Sequence, residues 1–145
     1  MVATPRNIGA HVRNYPSVRA VASTGATHNG VSVDRMPAES DEGYLSGVMV
    51  IDIGAATGAP TALTVNARLQ DSADGSAFAD IATTVLATST ITAQTAGSAL
   101  VEMNFDASQV RRYLRAQIVT TLTAGTSPTI PVSGTLCMGG AQNPA

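Results

Sequence analysis

Four stretches of this 145-residue chain alternate apolar and polar residues with period two, a pattern that leaves little room for anything but a β fold. In residues 113–122, Leu114, Ala116, Ile118, Thr120 and Leu122 fall on one side. In 62–70, Leu63, Val65, Ala67 and Leu69 oppose Thr64, Asn66, Arg68 and Gln70. Val101, Met103 and Phe105 oppose Glu102 and Asn104 in 99–105, and Ile130, Val132, Gly134 and Leu136 line up in 129–138. Successive side chains of a strand point to opposite faces, so each stretch is a strand with one buried and one outer side. Residues 44–53 form a near-continuous apolar run through Leu45, Met49 and Ile53, short enough for a buried strand rather than a helix. Shorter β-prone pieces lie at 17–22, at 30–35, at 78–87 with Ile81 and Val85 inward, and in the Thr-rich 88–95. Only 106–112 reads as helical, a single turn that Asp106 or Ser108 caps.

Turns rich in Gly, Pro, Ser and Asp separate about seven to nine strands at a spacing of roughly 8–12 residues, the pattern of a sandwich or jelly roll. The fold class predicted is all-β, a β-sandwich or jelly-roll-like domain with an extended N-terminal arm. Residues 1–43 read as that arm and a loop with short strands, broken by Pro5, Pro16 and Pro37. Residues 44–140 are the sandwich, and 141–145 a flexible tail. Within the arm, residues 1–15 read as loose alone and ordered by contact with a neighbour. The acidic loop 37–42, with Glu39, Asp41 and Glu42, is solvated.

Aromatic residues make up 3% of the chain and Trp is absent, so the core must come from Val, Ile, Leu, Ala and Met. At ~25 cal/mol per Å² such side chains bury less area each than aromatics, which makes contacts with other chains a natural supplement. Charged residues are 12%, all eight basic ones are arginine, and the net charge is −2. Nucleic-acid and anionic-membrane binders need a basic footprint, so both partners are disfavoured. No run approaches the ~20 apolar residues of a membrane span, and residues 1–10 lack the apolar core of a signal peptide. The chain therefore reads as soluble and made in a cytoplasm. The lone Cys137 precludes an intrachain disulfide and reads as a small hydrophobe in the last strand.

Little in the sequence carries chemistry. His11 and His28 have no third ligand placed by spacing, so they read as surface or interface residues and no metal is expected. No serine sits in a nucleophile elbow, no Gly-rich strand-to-helix loop cradles phosphate, and the carboxylates are scattered. The expectation is a non-enzyme without a cofactor. The most distinctive motif runs from Leu69 to Ile81 and contains Asp71-Ser72-Ala73-Asp74-Gly75-Ser76-Ala77-Phe78. Asp74-Gly75 signals a hairpin with a primed turn, in which Gly75 tolerates positive φ freely and Asp74 better than most. Asp71 and Ser72 are placed to bond turn amides, and Phe78 and Ile81 to anchor the returning strand on the core. Calcium at Asp71, Asp74 and Asp80 would lack the spacing of a dedicated loop.

The second feature is Gln109-Val110-Arg111-Arg112-Tyr113-Leu114-Arg115. One reading is a strand entrance whose arginines pair with Glu102 and Asp106. The other is that Arg112, Tyr113 and Arg115 face a neighbouring subunit, since Arg and Tyr are favoured interface anchors.

Together, the Asp-Ser-x-Asp-Gly-x-x-Phe-x-Asp-Ile hairpin, the Arg-Arg-Tyr-Leu-Arg-Ala-Gln segment, the Gly-Thr-Ser-Pro turn and the closing strand ending Met138-Gly139-Gly140 resemble small structural proteins of tailed bacteriophages. The resemblance spans residues 44–140 and implies a head decoration, or cement, protein. Such proteins are β-rich, often trimers at local three-fold positions, and they stabilise the outer capsid surface by binding the major capsid protein. Synthesis in the host bacterial cytoplasm and residence in the virion follow from it. The arm would supply capsid contacts, with Arg6, His11, Arg13 and Tyr15 as anchors. The alternatives are another phage virion component (tail tube, connector or fibre-associated) and a carbohydrate-binding jelly roll, though the latter normally offers exposed Trp or Tyr to stack on sugar.

Overall fold

A computed structural model of the chain describes residues 12–36, 43–86, 90–93 and 97–140. Among these are ten strands: β1 (Val12–Ser23), β2 (Thr27–Asn29), β3 (Val33–Asp34), β4 (Ser46–Ile53), β5 (Ala62–Ser72), β6 (Ala79–Asp80), β7 (Thr90–Ala93), β8 (Ala99–Asp106), β9 (Tyr113–Thr123) and β10 (Ile130–Gly139). The alternating stretches are all strands, and each extends the predicted pattern by only a residue or two.

The strands form two antiparallel sheets. One has the order β1-β10-β4-β8; in the other, β9 and β5 are central. There β2 and β3 occupy one flank at different levels of β9, and β6 and β7 the other flank at different levels of β5. Counting each interrupted flank as one position gives two four-position sheets, and the chain crosses between them at almost every connection. This is a jelly roll, as the strand pattern predicted.

Register places the core. In the first sheet Tyr15, Leu136, Met49 and Met103 are aligned and point inward, as do Val18, Gly134, Ile51 and Val101. Facing them are Val65, Ala67 and Leu69 of β5 and Leu114, Ala116 and Ile118 of β9, all buried. Tyr44 and Phe105 are the buried aromatics. Gly47 lies directly opposite Phe105, and a Cβ there would fall on the ring. Gly134 faces the opposite sheet, with Ile51, Ala116 and Ile118 around the place its side chain would occupy.

Several expectations require correction. Residues 12–15, read as part of a loose arm, are the first residues of β1 and pair with β10. Pro16 does not end this strand, because β1 is the outermost strand of its sheet and carries register shifts between Pro16 and Val18 and again before Val21. At the first shift Ser17 turns into the interior. Its Oγ accepts from Ala116 N at 3.0 Å and donates to Val31 O at 3.1 Å, tying β1 to the opposite sheet. Residues 78–87 are not a continuous strand: after β6, Leu86 N bonds Ala82 O at 3.1 Å, and this turn buries Leu86 while leaving Val85 43% exposed. The predicted helical turn is a three-residue 3-10 turn, Ala107–Gln109, capped by the Asp106 carboxylate as expected.

Candidate interaction surfaces

Pairing of β5 with β9 brings the two sequence motifs together, with Ser72 opposite Tyr113 and Gln70 opposite Arg115. The Asp74-Gly75 turn is a six-residue connection between β5 and β6, not a two-residue primed turn. Gly75 has φ +77°, but Asp74 stays out of the left-handed region that a type I′ turn demands. Side chains close the loop instead. Ser72 Oγ donates to Asp74 Oδ1 at 2.8 Å and accepts from Gly75 N at 3.0 Å; Asp74 Oδ1 also accepts from Ala77 N and Ser76 N at 3.0 and 2.9 Å. The amides of Ala77 and Ser76 hold the Asp74 carboxyl far below the usual carboxylate range. Gly75 also lets the loop rest on Tyr113, since a Cβ would lie 3.3 Å from the ring. Asp71 does not serve the turn: its side chain accepts from Arg111 N at 3.0 Å and lies 3.8 Å from the Arg111 guanidinium.

The arginines do pair, but not with Glu102 and Asp106, which lie on the other sheet. Arg112 makes a two-pronged contact with Asp34, Nε to Oδ1 at 3.0 Å and Nη2 to Oδ2 at 2.7 Å. This hydrogen bonding lowers the Asp34 pKa and raises that of Arg112. The Arg112 guanidinium also lies 5.2 Å from the Tyr113 ring centroid. Arg115 donates to Gln70 Oε1 at 2.8 Å and sits 4.4 Å over the Phe78 ring. Phe78 is thus a half-buried platform for a cation rather than a core anchor, while Ile81 is buried as expected. Gln70 in turn donates to Asp80 at 2.7 Å, and Arg68 meets the same carboxylate at 3.3 Å. Gln117 donates to Asn29 at 2.7 Å. The outer side of the β9–β5 sheet is therefore a hydrogen-bonded lattice that satisfies itself. Asp34 and Gln70 were not singled out in the sequence, because their partners are 78 and 45 residues away.

The outer side of the β1-β10-β4-β8 sheet has another character. Its outward rows are Val12, Gly139, Ser46 and Asp106; then Asn14, Cys137, Val48 and Asn104; then Pro16, Thr135, Val50 and Glu102. Strands β4, β8 and β10 contain no basic residue at all, and Asp52, Glu102 and Asp106 all face outward. Among the described residues, no side-chain hydrogen bond or ion pair links β4, β8 and β10 across this face; Asp106 bonds only its neighbour Ser108. Near one end, Val12, Val48, Phe105 and Cys137 border an open apolar recess of about 710 Å³. Cys137 is half-buried on this outer side rather than in the core, and burial together with the charge of Glu102 pushes its thiol pKa up.

The proposed arm anchors separate. Arg6 and His11 lie outside the described residues. Arg13 is exposed on β1, and Tyr15 is turned inward, its hydroxyl 2.8 Å from that of Tyr44 and the two rings edge to face at 6.0 Å. His28, read as a surface or interface residue, is half-buried and reaches Ser23 Oγ at 2.7 Å. Ser23 also contacts Thr120 Oγ1 at 2.5 Å, is 1% exposed, and locks the β1–β2 turn, so its hydroxyl is not open to a substrate.

Known proteins can be set beside this geometry. No curated protein matches the sequence. Among solved structures, the chain is similar to infectious bursal disease virus Gx strain, with a TM-score of 0.53 and 15% identity over 92% of this chain and 34% of that one. It is similar also to the protein of the T13 infectious bursal disease virus particle (TM-score 0.51, 14% identity, 90% and 31% covered). The VP2 subviral particle of the same virus gives a TM-score of 0.50 at 15% identity, with 92% and 34% covered. The chain thus spans about a third of the length of these proteins, and identities this low establish a shared fold and nothing finer. Sequence kinship comes from a family match that covers residues 15–130, from β1 to the start of β10. The chain belongs to the Bbp16 family.

Proposed function

We propose that the protein is a virion structural component that decorates the capsid and stabilises it by binding the major capsid protein. The observation that carries this reading is the outer face of the β1-β10-β4-β8 sheet, whose two central strands present Val48, Val50, Ser133, Thr135 and Cys137 with Asp52 as their one charge. Depletion of charge at the centre of a patch marks protein–protein contact surfaces. The jelly roll supplies a stiff support for it, and repetition over a lattice makes many modest contacts effective through avidity. A non-catalytic role agrees with the burial of Ser23, the hydroxyl that His28 reaches. The sugar-binding alternative is disfavoured because Arg112 and Arg115 lie over the Tyr113 and Phe78 rings that would have to stack on a sugar.

The test is to add purified protein to cognate heads that lack it and to look for bound protein by sedimentation and by difference density. Density on the outer shell supports the reading; no binding overturns it. The trimer implied by the resemblance is tested separately by light scattering. Three times the 14.7 kDa chain mass, or three-fold density on the shell, supports it, and any other stoichiometry on the shell replaces it. Because Tyr15 and the residues before it back to Val12 belong to β1, an arm deletion must stop at His11 to keep the fold. That truncation is expected to melt like the full chain and to attach more weakly.

A further inference from the structure

We propose that the outer face of the β1-β10-β4-β8 sheet is the shell-facing surface, and that its recess takes a capsid-protein segment bearing an apolar anchor beside basic side chains. The inference deepens the decoration reading and rests on it. Three features point to such an occupant. The recess beside Val48 and Cys137 is lined mainly by apolar atoms and has the volume for an aliphatic side chain with its flanking backbone. Glu102 and Asp106 face outward on the neighbouring strand β8, with no basic residue on β4, β8 or β10 to neutralise them. Asp106 borders the recess itself, and Glu102 stands in the next outward row of the same strand beyond Asn104. An apolar floor beside unanswered carboxylates is complementary to a segment that pairs Val, Leu or Met with Arg or Lys. A second copy offering its opposite face fits less well. Its arginines there are already engaged, Arg68 by Asp80, Arg111 by Asp71, Arg112 by Asp34 and Arg115 by Gln70.

Cys137, the single cysteine, is a built-in reporter of this face. The experiment measures its alkylation by iodoacetamide in the full chain, free in solution and bound to cognate heads. A companion protein, Cys137→Ser with Thr121→Cys, reports the opposite face. Alkylation of Cys137 is expected to slow at least about tenfold on the heads while the introduced thiol of the companion keeps its free rate, and Glu102→Arg should weaken attachment by about tenfold without lowering the melting temperature. Attachment with Cys137 still reactive overturns the face assignment and leaves decoration standing. Failure to attach at all overturns both. Protection of Cys137 in the protein alone, growing with concentration, overturns the capsid segment in favour of a second copy. Attachment insensitive to Glu102→Arg and to salt overturns the basic character of the occupant.

Discussion

The two outer faces of this jelly roll rest on one core and treat their side chains in opposite ways. On the β9–β5 face, Arg115, Gln70, Asp80 and Arg68 form a chain of hydrogen bonds and ion contacts, with Phe78 beneath one guanidinium. On the β10–β4 face, valines, serine, threonine and a cysteine stand side by side with no bond between them, next to three outward acids. The difference teaches where a partner can be accommodated. Docking on the first face must strip water from groups that already have partners and gains little from them. Docking on the second buries small apolar surface and gives the acids counter-charges that β4, β8 and β10 do not supply.

Gly134→Leu puts a side chain where Ile51, Ala116 and Ile118 already stand, and overpacking of this kind costs ~1–3 kcal/mol or more. Denaturant titration should register it as the largest loss of stability among these variants, and both faces should loosen together in hydrogen exchange. Preservation of either face would mean that the sheets are less coupled than their shared core implies.

A sharper contrast comes from matched truncations. Gln70→Ala removes the link between Arg115 and Asp80 at a position only 7% exposed, and losing two hydrogen bonds at ~0.5–1.5 kcal/mol each should cost ~1–3 kcal/mol. Thr135→Ala, on the unbonded face, should change stability by less than about 0.5 kcal/mol. Equal costs in denaturant titration would erase the distinction between the faces.

The smallest effect is that of pH. Hydrogen bonding from Arg112 lowers the Asp34 pKa below its ordinary 3.8, so the pair adds stability at neutral pH that disappears as pH falls through the depressed folded value. Asp34→Asn should therefore lower the melting temperature slightly at pH 7 and flatten its decline below about pH 4, an effect reduced by salt because the pair is part-exposed. An unchanged acid slope would show that the contact adds nothing measurable.

Much of this was legible in the primary structure, and for a local reason. Period-two alternation is a property of neighbouring residues, so β5, β8, β9 and β10 could be placed from the sequence with their buried faces correctly assigned. Leu114, Ala116, Ile118 and Thr120 are buried as the alternation requires. Asp106 was recognisable as a cap because its amide partner is two residues away. The sequence was least informative where a segment's state depends on a distant strand. Residues 12–15 look like a loose arm until β10 pairs with them, 123 residues on for Asn14 and Cys137 by their register. The arginines look free to meet Glu102 and Asp106 until topology sends those acids to the other sheet.

By itself, then, the sequence determined the fold class and the strand faces, because composition and alternation act through nearest neighbours along the chain. Only the tertiary structure decided which outer face is bonded and which is bare. Strand order sets that, bringing Gln70 to Arg115 and Asp34 to Arg112 while gathering β4, β8 and β10, all without a basic residue, into one surface.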